Sequence, residues 1–303
     1  PNGDKKKSFD INEVVVDNLF LDLKGVLGSP VDLRVGRQDF AMEYGEGFLI
    51  MDGQPLTTGR TFSFNAAKAT YNISEQRKVD LLYINNHRDD DVLPIINENS
   101  PPTELNTSDE QAWALYLKDD TIENLHVEKY YIYKEEDAGG AAFQAQGTDL
   151  NTIGFYTRYT IPAVTLRGQA AYQFGEYGEN DRSGYGGYFF ADKSFGDDGL
   201  KPAISAGYVH LSGDDGSSSK MEAWDPLFSR WPWMSELVAY SFLTESGAGY
   251  WTNLGMWRIE GSISPLEKTR LTLRYNRLKA NETFSGSGFG SEKNRGTLYQ
   301  AVL

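Results

Sequence analysis

The sequence predicts an all-β fold, an antiparallel up-and-down transmembrane β-barrel. Three observations predict it. Apolar and polar residues alternate with a period of two in segment after segment. The connections between those segments alternate short and long. The polar positions carry charges that a dry sandwich core would not tolerate. The stretch Leu19–Tyr71 shows all three. At its centre, Val31, Leu33 and Val35 fall on one face, and Asp32, Arg34 and Gly36 on the other. Lipid against the first face and a water-filled lumen against the second satisfy both.

The first strand lies within Phe9–Lys24, where Leu19, Leu21 and Leu23 alternate with Phe20, Asp22 and Lys24. Gly28-Ser29-Pro30 turns the chain tightly into the second strand. Phe40–Gly59 is a long irregular loop containing Gly45, Gly47, Gly53 and Gly59. The third strand, Phe62–Ile73, sets Ala67, Ala69 and Tyr71 against Ala66, Lys68 and Thr70. The fourth sets Val79, Leu81 and Tyr83 against Asp80, Leu82 and Ile84. Asn85–Gln111 is a second long loop, made polar by Asp89-Asp90-Asp91 and broken by Pro101-Pro102. Two aromatic-rich strands follow, Ala112–Lys118 and Leu125–Lys134, with poorly phased alternation.

The seventh strand, Asn151–Ile161, sets Ile153, Phe155 and Tyr159 against Thr152, Tyr156 and Arg158. The eighth is the clearest: Leu166, Gly168, Ala170, Tyr172 and Phe174 oppose Arg167, Gln169, Ala171 and Gln173. Ser183–Phe195 and Pro202–Leu211 make the ninth and tenth, and a long loop from Asp215 to Tyr250 carries Trp224, Trp231 and Trp233. The eleventh puts Trp257, Ile259 and Ile263 opposite Arg258, Glu260 and Ser262; the twelfth puts Leu271, Leu273 and Tyr275 opposite Thr272, Arg274 and Asn276. Thr297–Leu303 begins a thirteenth. One barrel domain over residues 1–303, truncated at both ends, is the expected organisation.

Composition agrees. Tyr (18), Phe (16) and Gly (31) are abundant among 303 residues, as in strand-and-turn proteins. No stretch approaches the roughly 18 consecutive apolar residues of a membrane helix. A mean hydropathy of -0.50 suits a barrel, whose strands average lipid-facing and lumen-facing residues. The chain has no cysteine, hence no disulfide framework or thiolate metal site. A net charge of -14 argues against a nucleic-acid partner. Much of that acidity lies in the loops.

Few residues suggest chemistry. Asp214-Asp215-Gly216 lacks the oxygen spacing of a calcium loop and reads as a turn. The tryptophans of the long loop could stack sugar rings, but a loop folded on itself or into the lumen is the simpler reading. His87, His126 and His210 are scattered, without metal-ligand or triad spacing. No pair of carboxylates stands out for glycosidase work, and an enzyme is not expected. Gly184, Gly186 and Gly187 lie in a tyrosine-rich strand, where glycine lets neighbouring aromatics pack. The mid-strand cations Arg34, Lys68, Arg158, Arg167, Arg258 and Arg274 fit the water-exposed face of a sandwich or the wall of a wide pore. Loops far longer than the 2–5 residues of sandwich hairpins favour the pore, as do apolar faces rich in Tyr and Trp.

Several stretches, in this order and spacing, resemble the alginate export family of outer-membrane β-barrel porins. They include Leu33-Arg34-Val35-Gly36-Arg37-Gln38, Tyr44-Gly45-Glu46-Gly47, Gly59-Arg60-Thr61-Phe62 and Asn65-Ala66-Ala67-Lys68. Farther on come Ala171-Tyr172-Gln173-Phe174-Gly175, Lys201-Pro202, Ser212-Gly213-Asp214 and Trp224-Asp225-Pro226-Leu227-Phe228. The resemblance implies one antiparallel barrel of about 18 strands, against about thirteen visible here. It also implies a bacterial outer-membrane channel without a cofactor, surrounded by lipid and open to hydrophilic solutes, anionic saccharides among them. Arg34, Arg37, Arg60 and Lys68 match the family's basic positions. With Arg158, Arg167, Arg258 and Arg274 they are the expected pore-lining cations, and Asp80 and Glu260 the expected pore-lining carboxylates. The alternatives are an outer-membrane barrel that is a structural or docking partner for envelope proteins, and a secreted β-rich carbohydrate-binding protein.

Overall fold

Each alternating segment buries one face while its backbone hydrogen bonds are satisfied by its neighbours, and the result is a single meander. The computed structural model describes residues 13–14, 16–40, 42–51, 63–88, 93, 96–97, 108–139, 146–196, 199–229, 252–283 and 291–303. Its strands are β1 (Leu19–Leu23), β2 (Val31–Gln38), β3 (Phe64–Asn72), β4 (Arg77–Asn86) and β5 (Glu110–Ile122). They continue as β6 (Leu125–Glu136), β7 (Thr148–Ile161), β8 (Val164–Tyr177) and β9 (Asn180–Ser194). The last are β10 (Ala203–Leu211), β11 (Leu254–Leu266), β12 (Thr269–Lys279) and β13 (Asn294–Val302). All thirteen pair in sequence order and antiparallel; the edge strands β1 and β13 do not pair with each other. A separate short pairing joins Glu13–Val14 to Ile96–Asn97.

Short turns gather at one end of the sheet, among them 73–76, 123–124, 162–163 and 267–268. Long connections gather at the other: 39–63, 87–109, 212–253 and 280–293. The hairpin turn at 178–179 is the exception at the long-loop end.

The two faces differ as the alternation demands. One is exposed and aromatic: Trp257 is 61% exposed, Phe189 55% and Tyr299 75%, with Tyr172, Tyr185 and Ile153 alongside. On the opposite, inner face the chain departs from the expected uniform polarity. Its long-loop half is an apolar core, with Leu82, Ile84, Ala112, Ile132, Leu150, Val209, Leu211 and Met256 all buried.

Two inserted segments cover that half. Residues 42–51 contribute Tyr44, Phe48, Leu49 and Ile50; residues 224–229 contribute Trp224 and Leu227. Each large apolar side chain removed from water contributes about 1.5–3 kcal/mol. This explains the poorly phased fifth and sixth segments, now β5 and β6. Trp113 and Leu115 point outward while Ala112, Ala114, Tyr116 and Ile132 point into this core, so both faces are apolar and alternation fades.

The segments also pair with each other. Phe228 N–H donates to Leu49 O at 3.0 Å, Met51 N–H to Phe228 O at 3.4 Å, and the Ser229 hydroxyl to Gly47 O. Phe48 packs on Trp224 (ring centroids 5.2 Å) and on Tyr188 (5.5 Å). The sheet makes room at Gly186: a Cβ there would fall 2.7 Å from the Trp224 indole. That close approach is why glycine stands in a tyrosine-rich strand. Asp89–Asp91, Pro101-Pro102, Arg60, Trp231 and Trp233 lie outside the described residues.

Candidate functional site

The short-turn half of the inner face is charged, and register explains how cations far apart in sequence meet there. Asp22, Arg34 and Lys68 are direct partners across β1, β2 and β3. Arg158 stands opposite Arg167 across β7 and β8. Arg258 stands opposite Asn276, and Glu260 opposite Arg274, across β11 and β12. Same-face neighbours this close interact directly.

Nearly every charge is answered. Arg34 pairs with Asp22 at 2.9 Å, and its guanidinium lies 4.3 Å from the Phe20 ring centroid. Lys68 reaches Glu43 at 2.7 Å. Asp80 is buried between Lys118 (3.1 Å), the Thr70 hydroxyl (2.6 Å) and the Tyr44 hydroxyl (3.2 Å). Burial pushes the Tyr44 phenol well above its ordinary pKa, so it remains a hydrogen-bond donor. Arg274 pairs with Glu260 at 2.5 Å. Arg258 gives its Nε–H to Asn276 at 2.7 Å, while its buried Nη2 has no partner among the described residues.

Glu46 is the joint between this charged wall and the loop core. It comes from the 42–51 segment, with φ 56°, a left-handed conformation that costs a non-glycine residue roughly 1–2 kcal/mol. Its carboxylate accepts from Arg158 (3.0 Å), Arg167 (2.5 Å), the Tyr156 hydroxyl (3.0 Å) and the Tyr188 hydroxyl (3.1 Å). Arg167 also donates to Asp192 at 2.6 Å. Burial would raise the Glu46 pKa, but Arg167, with hydrogen bonds from Arg158 and Tyr156, holds it below the ordinary value. The carboxylate is therefore ionised, and the strained turn is fixed by charge.

A second set of ions lies dry inside the loop core. Lys134, fully buried, donates to Glu110 (2.9 Å), Glu136 (2.5 Å) and Leu227 O (3.1 Å). Arg182 pairs with Asp225 at 3.0 Å. Gln173 and the Asp225 backbone exchange two hydrogen bonds, each 2.8 Å. These contacts fasten the 224–229 segment to the wall.

Two cavities open on the charged half. One of about 290 Å³ is lined by Arg167, Arg258 and Arg270 against Asp192 and Glu260. Another of about 170 Å³ is lined by Lys24, Arg34, Lys68 and Lys78 against Asp22, Asp32 and Glu43.

The structure gives each described residue of the expected set a face. Arg34, Lys68, Asp80, Arg158, Arg167, Arg258, Glu260 and Arg274 share the inner face. Arg37 does not: its parity is that of Leu33 and Val35, and it is buried at the strand end, donating to Asn65 Oδ1 and Val16 O at 3.0 Å each. Arg60 is outside the described residues. Lys118, Arg182, Asp192 and Arg270 were legible as inward by alternation and went unremarked. Glu43 and Glu46 lie in a loop, where no periodicity marks them. Asp214 and Asp215 accept the backbone N–H groups of Gly216 and Ser217, as a turn does. Their carboxylates lie within 4.8 Å of that of Glu222.

The sequence matches the alginate export family over residues 2–288. The chain belongs to that family. As a member it is a bacterial outer-membrane β-barrel channel, and its exposed aromatic face meets lipid. No curated protein sequence matches it. Among solved structures it resembles two from Pseudomonas aeruginosa. OccK8 (OprE) is 11% identical, with a TM-score of 0.44, covering 90% of this chain and 67% of that one. OccK11 (OpdR) is 12% identical, with a TM-score of 0.47, covering 90% and 65%. The chain thus spans about two thirds of the length of each.

Proposed function

We propose that this channel passes small or oligomeric hydrophilic solutes by passive diffusion and prefers anionic ones, saccharides among them. One observation carries the reading. In a chain of net charge -14, the two described cavities on the charged half each hold more inward cations than carboxylates: three against two in the larger, four against three in the smaller. A wall of that sign between low-dielectric surfaces concentrates anions in the solution beside it. Arg34, Lys68, Arg158, Arg167, Arg258 and Arg274 line the path in this reading, moderated by Asp80 and Glu260. The unbroken order of the strands supports a single domain over residues 1–303.

A second reading has one observation in its favour. The apolar core under residues 42–51 and 224–229 would seal the lumen of a barrel that is a docking partner for other envelope proteins. Planar bilayers separate the two. The channel reading predicts discrete conductance steps for the full-length protein, reduced by a carboxylated oligosaccharide and not by a neutral one. A protein that inserts without conducting is the sealed barrel.

A further inference from the structure

Beyond transport, the lipid-facing side carries a polar notch that passage of solutes does not use. It lies at the long-loop end of β10, β11 and β12, and in barrels of this kind the long loops are external. Two adjacent rows cross it. In one, His210, Gly255 and Lys279 are register partners; in the next, Tyr208, Trp257 and Arg277. All point away from the inner face, because Val209, Met256 and Leu278, which alternate with them, are buried in the loop core.

The notch is built rather than incidental. His210 stacks on Tyr185, with ring centroids 5.1 Å apart and planes at 13°, and its buried Nε2 has no hydrogen-bond partner among the described residues. Gly255 lets its neighbours close in: a Cβ there would fall 2.4 Å from Lys279 Cε and 2.9 Å from the Tyr208 hydroxyl. The Lys279 stem therefore crosses the glycine toward Tyr208, and its Nζ stands 5.9 Å from that ring's centroid. Arg277 gives one hydrogen bond, to the Thr297 hydroxyl at 3.1 Å. Trp257 packs on Tyr208 at 4.7 Å and remains exposed.

Charges on a lipid-facing strand are costly at the membrane midplane and nearly free at the interface. Arg277 and Lys279 occupy the last positions of β12 beside an aromatic pair, which is where an aromatic girdle meets headgroups. Cations at that level attract anionic headgroups. Lys279 and Arg277 add charge-assisted donors and the Tyr208 hydroxyl a neutral one.

We propose that Tyr208, Arg277 and Lys279, backed by His210, form a binding site for the phosphate headgroup of a lipid in the outer leaflet. The phosphate oxygens accept from the two cations and from the Tyr208 hydroxyl. The acyl chains run along Phe189, Trp257 and Ile259. The site rests on the membrane setting and is independent of which solute passes.

Native mass spectrometry of the full-length protein in detergent tests it, with diphosphoryl lipid A and its dephosphorylated form as probes. The wild type should retain the phosphorylated lipid at least tenfold more tightly than the dephosphorylated one. The exposed double variant R277A/K279A should lose that difference. R277K/K279R, which keeps both charges, should retain it, as should K129A, an exposed position on β6 toward the short-turn end. Unchanged heat-resistant migration on gels reports that each variant is folded. Equal retention of the two lipids by the wild type, or undiminished preference in R277A/K279A, would overturn the site.

Discussion

The two halves of the inner face are built on the same strands with the same alternation, and they behave as different materials. Toward the short turns, Arg34, Lys68, Arg158, Arg167 and Arg274 are partly exposed and ion-paired, and Arg258 bonds to Asn276. Toward the long loops, the same parity yields Leu82, Ile84, Ile132, Val209, Leu211 and Met256, buried under two segments of loop. The difference lies in what covers each half. Period two says which face a residue takes; it does not say whether that face meets water or protein at a given height. Ions follow the same division. Arg182–Asp225 and Lys134–Glu136 are dry and structural, whereas the Arg167 and Arg34 pairs border cavities.

The largest effect should come from breaking a dry pair. Asp225→Ala leaves Arg182 buried without its counter-ion, which costs about 3–5 kcal/mol. Thermal or urea unfolding in detergent should show that loss, and the loosened segment should raise single-channel conductance.

Glu46 joins the halves and should matter less. Glu46→Gln keeps the shape but replaces charge-assisted hydrogen bonds with neutral ones, weakening the anchor of residues 42–51 by about 1.5–3 kcal/mol. Its pH dependence has a definite sign. The folded-state pKa is depressed below the ordinary 4.5, so the stabilisation is present above that pH and is lost as pH falls through the folded value. Conductance should rise on acidification below about pH 4.5 in the wild type, and Glu46→Gln should be open already and respond less.

The smallest stability effect belongs to the water-facing half. Arg34→Ala breaks a partly exposed pair, which is worth about 0–1 kcal/mol. Unfolding should barely shift. A loss of Arg34→Ala stability as large as that of Asp225→Ala would erase the distinction between the halves.

Strand number, order and facing were legible in the sequence because lipid on one side enforces strict alternation, as in Leu166 to Phe174. Legibility failed where both sides are apolar, as in Ala112 to Leu117, since a covered inner face no longer contrasts with lipid. Arg37 shows a second limit: the family resemblance groups it with Arg34, but an odd offset along a strand reverses the face. The loops held the rest. Tyr44-Gly45-Glu46-Gly47 and Trp224-Asp225-Pro226-Leu227-Phe228 carried the family resemblance without any structural meaning readable from sequence. In the fold, their neighbours Leu49 and Phe228 pair, and the two stretches close one core. Long-range pairing of irregular segments leaves no periodic trace.

In the proposed function the charged half sets selectivity for anions, and the reversal potential of the full-length channel in a planar bilayer under a KCl gradient reads it out. An anion-selective sign is expected for the wild type, and for the double variant R34E/R167E a shift toward cations. A cation-selective wild type, or a reversal potential that R34E/R167E leaves unchanged, would contradict it.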